Sequence, residues 1–385
     1  MSRGNKKIIV FVATTPFAVN AFLKNHLLAL SQFFDVRLIV NTDLYPICES
    51  LKNQIQITNI NIHREISILK DFQALRDLVR LLIEISPSSV HSITPKAGLL
   101  SMLAAWFSRV PSRYHTFTGQ VWVTKKGAAR WILKFFDRII ILFSTRVFAD
   151  SISQSNFLIR EGIVSDGEIS VLGPGSIAGV DLIRFQPNVV IRNSVRVTSG
   201  VPPNGFVFLF VGRLTSDKGI NDLLSAFKNV RQHNPFVELW IVGPDEEGMA
   251  SSIQKSSNEL QGVIKLFNQT SQPELFMAAA DVLILPSYRE GFGTVVIEAA
   301  ACGIPTLAYK TDGIIDAVED GKTGILVKLG GVDKLSEAMS RIAIDKNLLA
   351  NLGQHARRRA IDKFSSQVVT QAWINFYLAK LQLQA

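Results

Sequence analysis

Short, wholly apolar runs alternate with longer segments whose apolar residues recur every three or four positions, and the series occurs twice along the chain. Residues 8–13 (IIVFVA) contain no polar position, as expected of a strand covered on both faces. Phe22, Leu23, Leu27 and Leu30 then follow with helical spacing. The same reading predicts a strand at 36–40 and a helix at 71–85 through Leu75, Leu78, Leu82 and Ile85, closed by Pro87. It continues with strand 89–93, helix 97–107, strand 113–117, a long helix 128–145 and strands 146–149 and 169–172. A Gly- and Pro-rich stretch from Gly173 to Gly205 reads as a linker. Beyond it, strands at 206–211, 237–242, 263–267, 282–285 and 306–308 alternate with helices at 220–232, 273–279 and 294–301. Two such series predict an α/β protein of two doubly wound, Rossmann-like domains, 1–182 and 183–364. Helices at 332–344, 347–362 and 365–381 end the chain. The last, within 365–385, carries Trp373, Phe376 and Tyr377 and is expected either to close the second domain or to return to the first.

Composition narrows the function. Of 385 residues, 47% are apolar and 19% charged, which excludes global disorder. The net charge of +9 points to an anionic partner: nucleic acid, a membrane surface or a phosphorylated substrate. Two cysteines, Cys48 and Cys302, suggest neither a disulfide framework nor a zinc site, and a reducing, cytoplasmic setting is expected. No stretch reaches the roughly 18–20 apolar residues of a spanning helix.

Two segments carry chemistry. In LPSYREGFGTVVIEAAACGIPTLA (285–308) a buried strand is followed by a glycine-bearing loop and a helix. Ligands of open α/β sheets bind beyond the carboxyl ends of strands, and free N–H groups at a helix start favour phosphate. Glu290 and Glu298 stand eight residues apart, one in the loop and one on the helix, and a carboxylate can accept from two vicinal sugar hydroxyls. In FVGRLTSDKG (210–219) a strand ends, Gly212 permits close approach, and Arg213 and Lys218 follow. Two converging cations suit a diphosphate.

These segments resemble the family 4 retaining glycosyltransferases of the GT-B fold, in particular a subgroup that builds bacterial O-antigen and lipid-linked oligosaccharides. Glu290, Gly291, Phe292, Gly293, Thr294 and Glu298 match the paired-glutamate motif, and Gly212, Arg213 and Lys218 match the Gly-Arg…Lys-Gly motif. VGPDEEG (242–248) and SIAGVDLIRF (176–185) extend the likeness along most of the chain. The resemblance implies that Arg213 and Lys218 hold the diphosphate of a nucleotide-sugar, most commonly UDP-linked. It implies that Glu298 holds the ribose, Glu290 the transferred sugar, and the amides of Phe292, Gly293 and Thr294 the sugar or phosphates. The base is expected near Asn268. In the first domain it implies an acceptor side at Pro16, Phe17, His91, Lys96 and His115, with His115 near the reacting sugar and Lys96 meeting an acceptor phosphate. The implied acceptor is a saccharide on a polyprenyl diphosphate. The chain has no Asp-x-Asp, and an Arg–Lys pair can neutralise a leaving diphosphate, so no essential metal or other cofactor is expected.

Between Arg109 and Arg146 eight cations accompany one acid, Asp137. Lys126, Arg130, Lys134 and Arg138 recur every four residues and form one stripe on a helix, with Trp122, Trp131 and Phe135 beside it. Cations with aromatics suit an anionic membrane surface, which places the enzyme peripherally on the inner face of the cytoplasmic membrane. The rival readings are another GT-B enzyme, a phosphorylase or an epimerase, and a basic nucleic-acid-binding protein.

Overall fold

The computed structural model describes residues 6–43, 45–63 and 67–382. It divides into two units, Met1–Ala178 with Ser366–Ala385, and Gly179–Ser365.

The first unit holds a parallel sheet of seven strands: β1 (Ile8–Val12), β2 (Asp35–Val40), β3 (Gln56–Asn59), β4 (Ser89–Ser92), β5 (Ser112–Phe117), β6 (Arg146–Ala149) and β7 (Ile169–Val171). Their order is β3-β2-β1-β4-β5-β6-β7. The sequence sets off in one direction from β1 to β2 and in the other from β4 to β5, so the topological switch point lies between β1 and β4. Val10 and Val12 bury one sheet face under the helices Ile68–Ile85 and Pro95–Phe107, while Ile9 and Phe11 bury the other. The terminal helix Ser366–Gln382 packs on the Ile9/Phe11 side, where Trp373 and Tyr377 are buried.

The second unit repeats the plan with β8 (Phe206–Val211), β9 (Val237–Val242), β10 (Ile264–Phe267), β11 (Val282–Leu285), β12 (Thr306–Tyr309) and β13 (Gly324–Val327), in the order β10-β9-β8-β11-β12-β13. All pairs are parallel. The near-total burial of β9 and β11 explains why their sequences lack alternation. The switch point here lies between β8 and β11.

Two expectations are corrected. The stretch 173–205 is not a plain linker: it contains the helix Val189–Thr198, and Arg192 and Arg196 of that helix both pair with Asp281, at 2.5 and 3.1 Å. The first helical segment begins at Pro16 rather than Asn20, because Thr15 caps it through the Ala18 N–H and Pro16 fills the first-turn position that needs no donor. A π-helical turn, Val19–Leu23, follows. Among the described residues no helix is long and apolar enough to cross a membrane.

Candidate active site

At the switch point of the second unit, the loops after β8 and β11 meet. The first runs through Gly212 and Arg213 to a single 3₁₀ turn, Ser216–Lys218. The second runs from Pro286 to Gly293, which precedes the helix Thr294–Ala301. Gly219 has φ +70°, and a Cβ there would stand 2.0 Å from the Pro286 carbonyl oxygen, so only glycine lets the two loops approach this closely.

Two ion pairs join the loops through adjacent residues with opposite polarity. Lys218 Nζ lies 2.6 Å from Glu290 Oε1, and Arg289 donates to Asp217 Oδ2 at 2.7 Å. The Tyr288 N–H donates to the Asp217 carbonyl at 2.9 Å. Tyr288 and Tyr309 both donate their hydroxyls to Asp222 at 2.7 Å, which holds the phenolic protons and pushes the Tyr288 hydroxyl up to about 12. Arg213 pairs with Glu246 at 2.8 Å. Glu246 belongs to the loop after β9, where the Glu247 carboxylate accepts from the Ser216 N–H at 2.8 Å. The structure thus joins Lys218 to Glu290 between the two loops, with Gly212 and Arg213 at the start of the first loop, where Arg213 turns to Glu246 of the loop after β9. It adds Asp217, Arg289, Asp222, Tyr288, Tyr309 and Glu246, which the sequence reading did not single out. Their signal lay next to the motif residues: each of the two motif loops carries an extra charge of opposite sign.

Thr294 opens its helix, with Gly293 before it at φ +81°. Gly291 and Phe292 lie buried just ahead, and the Phe292 ring packs on Phe364 with centroids 5.1 Å apart, so its side chain anchors the loop to the core. Glu298 sits one turn into the helix. Desolvation pushes its carboxyl up to about 7; Arg184 pulls it down and Glu274 pushes it up. Glu298 has no ion-pair partner among the described residues, and part of its surface remains accessible. Asn268 is exposed, one residue past β10.

In the first unit, the switch point is bridged by Thr14 and Thr94, whose hydroxyl oxygens lie 2.6 Å apart. Pro16 is buried and Phe17 is 54% exposed, in contact with Tyr45. Lys96 follows β4 and is paired with Asp71 at 2.6 Å.

His91 departs from the expected acceptor contact. Its ring is wholly buried, with Nδ1 2.7 Å from the Tyr377 hydroxyl and Nε2 2.8 Å from Thr116 Oγ1. Both ring nitrogens are occupied, and Trp373 stacks on its face at 4.9 Å. Burial holds its pKa well below the usual range, so it is a neutral core group that fixes the terminal helix. His26 is held likewise, between Thr370 and the Ile177 carbonyl and stacked on Trp373 at 4.7 Å, with its pKa pushed down to about 4 by burial. His115 is also enclosed: Nδ1 lies 2.8 Å from Ser92 Oγ, and burial pushes its pKa down to about 3, so it is neutral.

The stripe is corrected too. The helix Gly127–Phe143 exists, but Trp122 is wholly buried and donates its indole N–H to Asp137 at 2.7 Å, so it does not face an interface. Arg130 and Lys134 lie over the Trp122 ring, at 5.3 and 5.0 Å, and both pair with Glu161. Arg138 donates to the Gly162 carbonyl. Three of the four stripe cations therefore hold the helix to its neighbour. Trp131 and Phe135 are exposed and stacked on each other, 5.8 Å between centroids.

Two parallel sheets in separate doubly wound units, with opposed cation and carboxylate loops at the switch point of the second, define a GT-B glycosyltransferase. The profile of glycosyl transferases group 1 matches residues 192–359. The chain is 30% identical over 347 residues to the capsular polysaccharide biosynthesis glycosyltransferase CapM of Staphylococcus aureus, covering 88% of this chain and 90% of that protein. It is 27% identical over 338 residues to the Escherichia coli UDP-Gal:alpha-D-GlcNAc-diphosphoundecaprenol alpha-1,3-galactosyltransferase, covering 86% of each. Among solved structures, HepE of Anabaena in complex with UDP and glucose has a TM-score of 0.80 at 19% identity, covering 97% of this chain and 100% of that one. The chain belongs to the group 1 glycosyl transferases.

Proposed function

We propose that this glycosyltransferase is a retaining enzyme of family 4. It moves a hexose or N-acetylhexosamine from a UDP-sugar to a saccharide carried on a polyprenyl diphosphate, in bacterial surface polysaccharide assembly. The carrying observation is the pairing of Lys218 with Glu290 between the loops after β8 and β11, with Arg213 on the first of these loops. The E. coli relative, whose name specifies UDP-Gal and a diphosphoundecaprenol acceptor, supports the two substrate classes.

In this reading Arg213 and Lys218 hold the diphosphate, and Glu298 accepts from the ribose hydroxyls. Glu290 accepts from the transferred sugar, and the amides of Phe292, Gly293 and Thr294 line the sugar or phosphates. Gly212 leaves room for the phosphates and Asn268 meets the base. The bond from the sugar's anomeric carbon to the diphosphate oxygen breaks. A bond to an acceptor hydroxyl forms on the same face, and the hydroxyl proton passes to the departing phosphate. Negative charge grows on the diphosphate as the bond breaks, so cations fixed in advance act most strongly at the transition state. Pro16, Phe17, Lys96 and neutral His115 belong to the acceptor side, with Lys96 exchanging Asp71 for an acceptor phosphate.

The lipid tail of such an acceptor requires work at a bilayer. Trp131 and Phe135, with exposed Ile132 and Leu142 on the same helix and Lys125 and Lys126 at its start, form the surface proposed to meet anionic lipid on the cytoplasmic face. The reaction is proposed to need no metal, because the cations supply the neutralising charge.

The test is a panel of UDP- and GDP-sugars offered with an undecaprenyl-diphosphate-linked saccharide, with and without EDTA. Release of UDP and an acceptor extended with retained anomeric configuration, unaffected by chelator, is expected. Release only with orthophosphate as acceptor would identify a phosphorylase. Activity abolished by EDTA and restored by magnesium would reject the metal-free mechanism.

A further inference from the structure

Each cation assigned to the diphosphate is already matched by a carboxylate. Lys218 is matched by Glu290, which has a place in sugar recognition. Arg213 is matched by Glu246, which has none. The loop that carries Glu246 is fixed on both sides. Asp245 accepts from the N–H groups of Glu247, Met249 and Ala250, at 3.3, 2.8 and 2.9 Å, and so ties the loop to the start of the helix Ala250–Glu259. The Leu214 N–H donates to the Pro244 carbonyl at 2.8 Å, and Leu214 pairs with Asp245 in an isolated parallel bridge. Gly243 approaches so closely that a Cβ on it would stand 1.8 Å from the Gly212 carbonyl oxygen. Glu246 is therefore held beside Arg213 by backbone contacts of Gly212 and Leu214, which flank Arg213, with Gly243, Pro244 and Asp245, which precede Glu246, and the two side chains are each about one-third exposed.

We propose that Glu246 is an exchange counter-ion: it neutralises Arg213 in the empty site, yields it to the diphosphate of the bound nucleotide, and takes it back as the product nucleoside diphosphate leaves. This inference rests on the donor reading above. The physical argument is competition. A guanidinium that must abandon a carboxylate to meet a phosphate gains only the difference between the two contacts, and the displaced carboxylate then stands as a like charge near the diphosphate. Both effects weaken the nucleotide and favour its release. In the donor reading Glu246 has no role toward the sugar or the reacting atoms and acts through Arg213, so it is a positioning residue that sets how tightly product is held. The neighbouring Glu247 carries the same charge in the same loop but meets the Ser216 N–H instead of Arg213. It separates a specific cap from the general field of the loop.

The experiment measures UDP, uridine and inorganic diphosphate binding by titration calorimetry at fixed salt, for wild type, Glu246→Gln, Glu246→Ala and Glu247→Gln. Thermal midpoints of the unliganded proteins confirm folding. Both Glu246 variants are expected to bind UDP and diphosphate about two- to five-fold more tightly, the range set by releasing a partly exposed ion pair. Uridine affinity stays unchanged, Glu247→Gln behaves as wild type, and product inhibition by UDP strengthens in parallel. Unchanged or weaker UDP binding in the Glu246 variants overturns the proposal, as does an equal gain in Glu247→Gln or in uridine binding. If wild type binds diphosphate but not UDP, the nucleotide reading fails, while the Glu246 effect on diphosphate still decides the exchange role. Binding of neither rejects both.

Discussion

Lys218 and Glu290 come from loops that follow adjacent strands, and their side chains meet at 2.6 Å with both largely shielded from water. One position back along each loop, Asp217 and Arg289 form a second pair of reversed sign at 2.7 Å. The two pairs fasten the loops to each other independently of any ligand, so Lys218 is held in place before a diphosphate arrives. Preorganised charge of this kind stabilises a transition state without rearrangement at the moment of reaction.

Removal of Lys218 should therefore act chiefly on turnover, and removal of Arg213 on nucleotide affinity as well. Arg213→Ala and Lys218→Ala are each expected to raise the barrier by about 3 kcal/mol, roughly a hundredfold in rate. Steady-state assays of UDP release in the presence of acceptor check this; near-wild-type kcat/KM in both variants would remove the diphosphate assignment.

Glu298 is expected to act on nucleotide affinity. Glu298→Gln keeps one acceptor oxygen and loses the charge, so UDP binding should weaken about tenfold, near the lower end for one hydrogen bond to a charged group. Deoxyuridine diphosphates provide the control. If Glu298 serves the ribose, the variant and wild type should differ less for a ligand lacking one hydroxyl than for UDP.

Asp137 supplies a pH dependence with a definite sign. Burial pushes its carboxyl up to about 7, against the Trp122 hydrogen bond that lowers it. The folded chain thus holds a proton that the unfolded chain has released, over the window from about pH 4 to 7, and stability falls as pH rises through it. Asp137→Asn retains an oxygen for the Trp122 N–H and cannot ionise. The variant should gain at least about 1 kcal/mol over wild type at pH 8 and nothing at pH 4, since each unit of displacement corresponds to about 1.4 kcal/mol. Urea unfolding at the two pH values measures it, and an equal difference at both would exclude titration of Asp137 as the cause.

For the membrane, the informative residues are the exposed aromatics and not the whole stripe. Reversing Arg130 or Lys134 would break the pairs with Glu161 and loosen the helix, confusing stability with binding. Trp131→Ser with Phe135→Ser leaves those pairs intact and is expected to reduce sedimentation with anionic liposomes severalfold, while UDP affinity stays unchanged. Wild-type binding by the double variant would leave this helix face as ordinary solvated surface.

Most strands were legible because burial on both faces removes nearly all polar residues from them: Phe206–Val211, Val282–Leu285 and Val237–Val242, whose one charge, Glu238, is buried and bonded to Trp240 and Lys265, have the bounds that their apolar residues predict. The edge strand Gln56–Asn59 was not, since a strand with one open edge and no fully buried residue carries no such run. The helix Val189–Thr198 was hidden because none of its residues is buried and it is anchored by arginines. Lys218 and Glu290 were marked by local motifs, and the structure pairs them between the loops at the switch point. The misplacement of His91 and Trp122 has the opposite origin. The partner of His91, Tyr377, lies 286 positions away, and that of Trp122, Asp137, is brought to it by the turn of a helix. No local pattern announces such contacts.

The return of the terminal helix to the first unit means that the first unit's core is the later of the two to receive all its residues as the chain is made. The second unit, Gly179–Ser365, is one uninterrupted piece inserted into the first, and the two crossings run side by side where the Val180 N–H donates to the Phe364 carbonyl at 2.7 Å. During synthesis the inserted unit has all its strands before the first unit has Trp373 and Tyr377 to cover Phe11 and His91. A ribosome that stops short of residue 366 would thus release a chain whose later half is complete and whose earlier half still exposes an aromatic core.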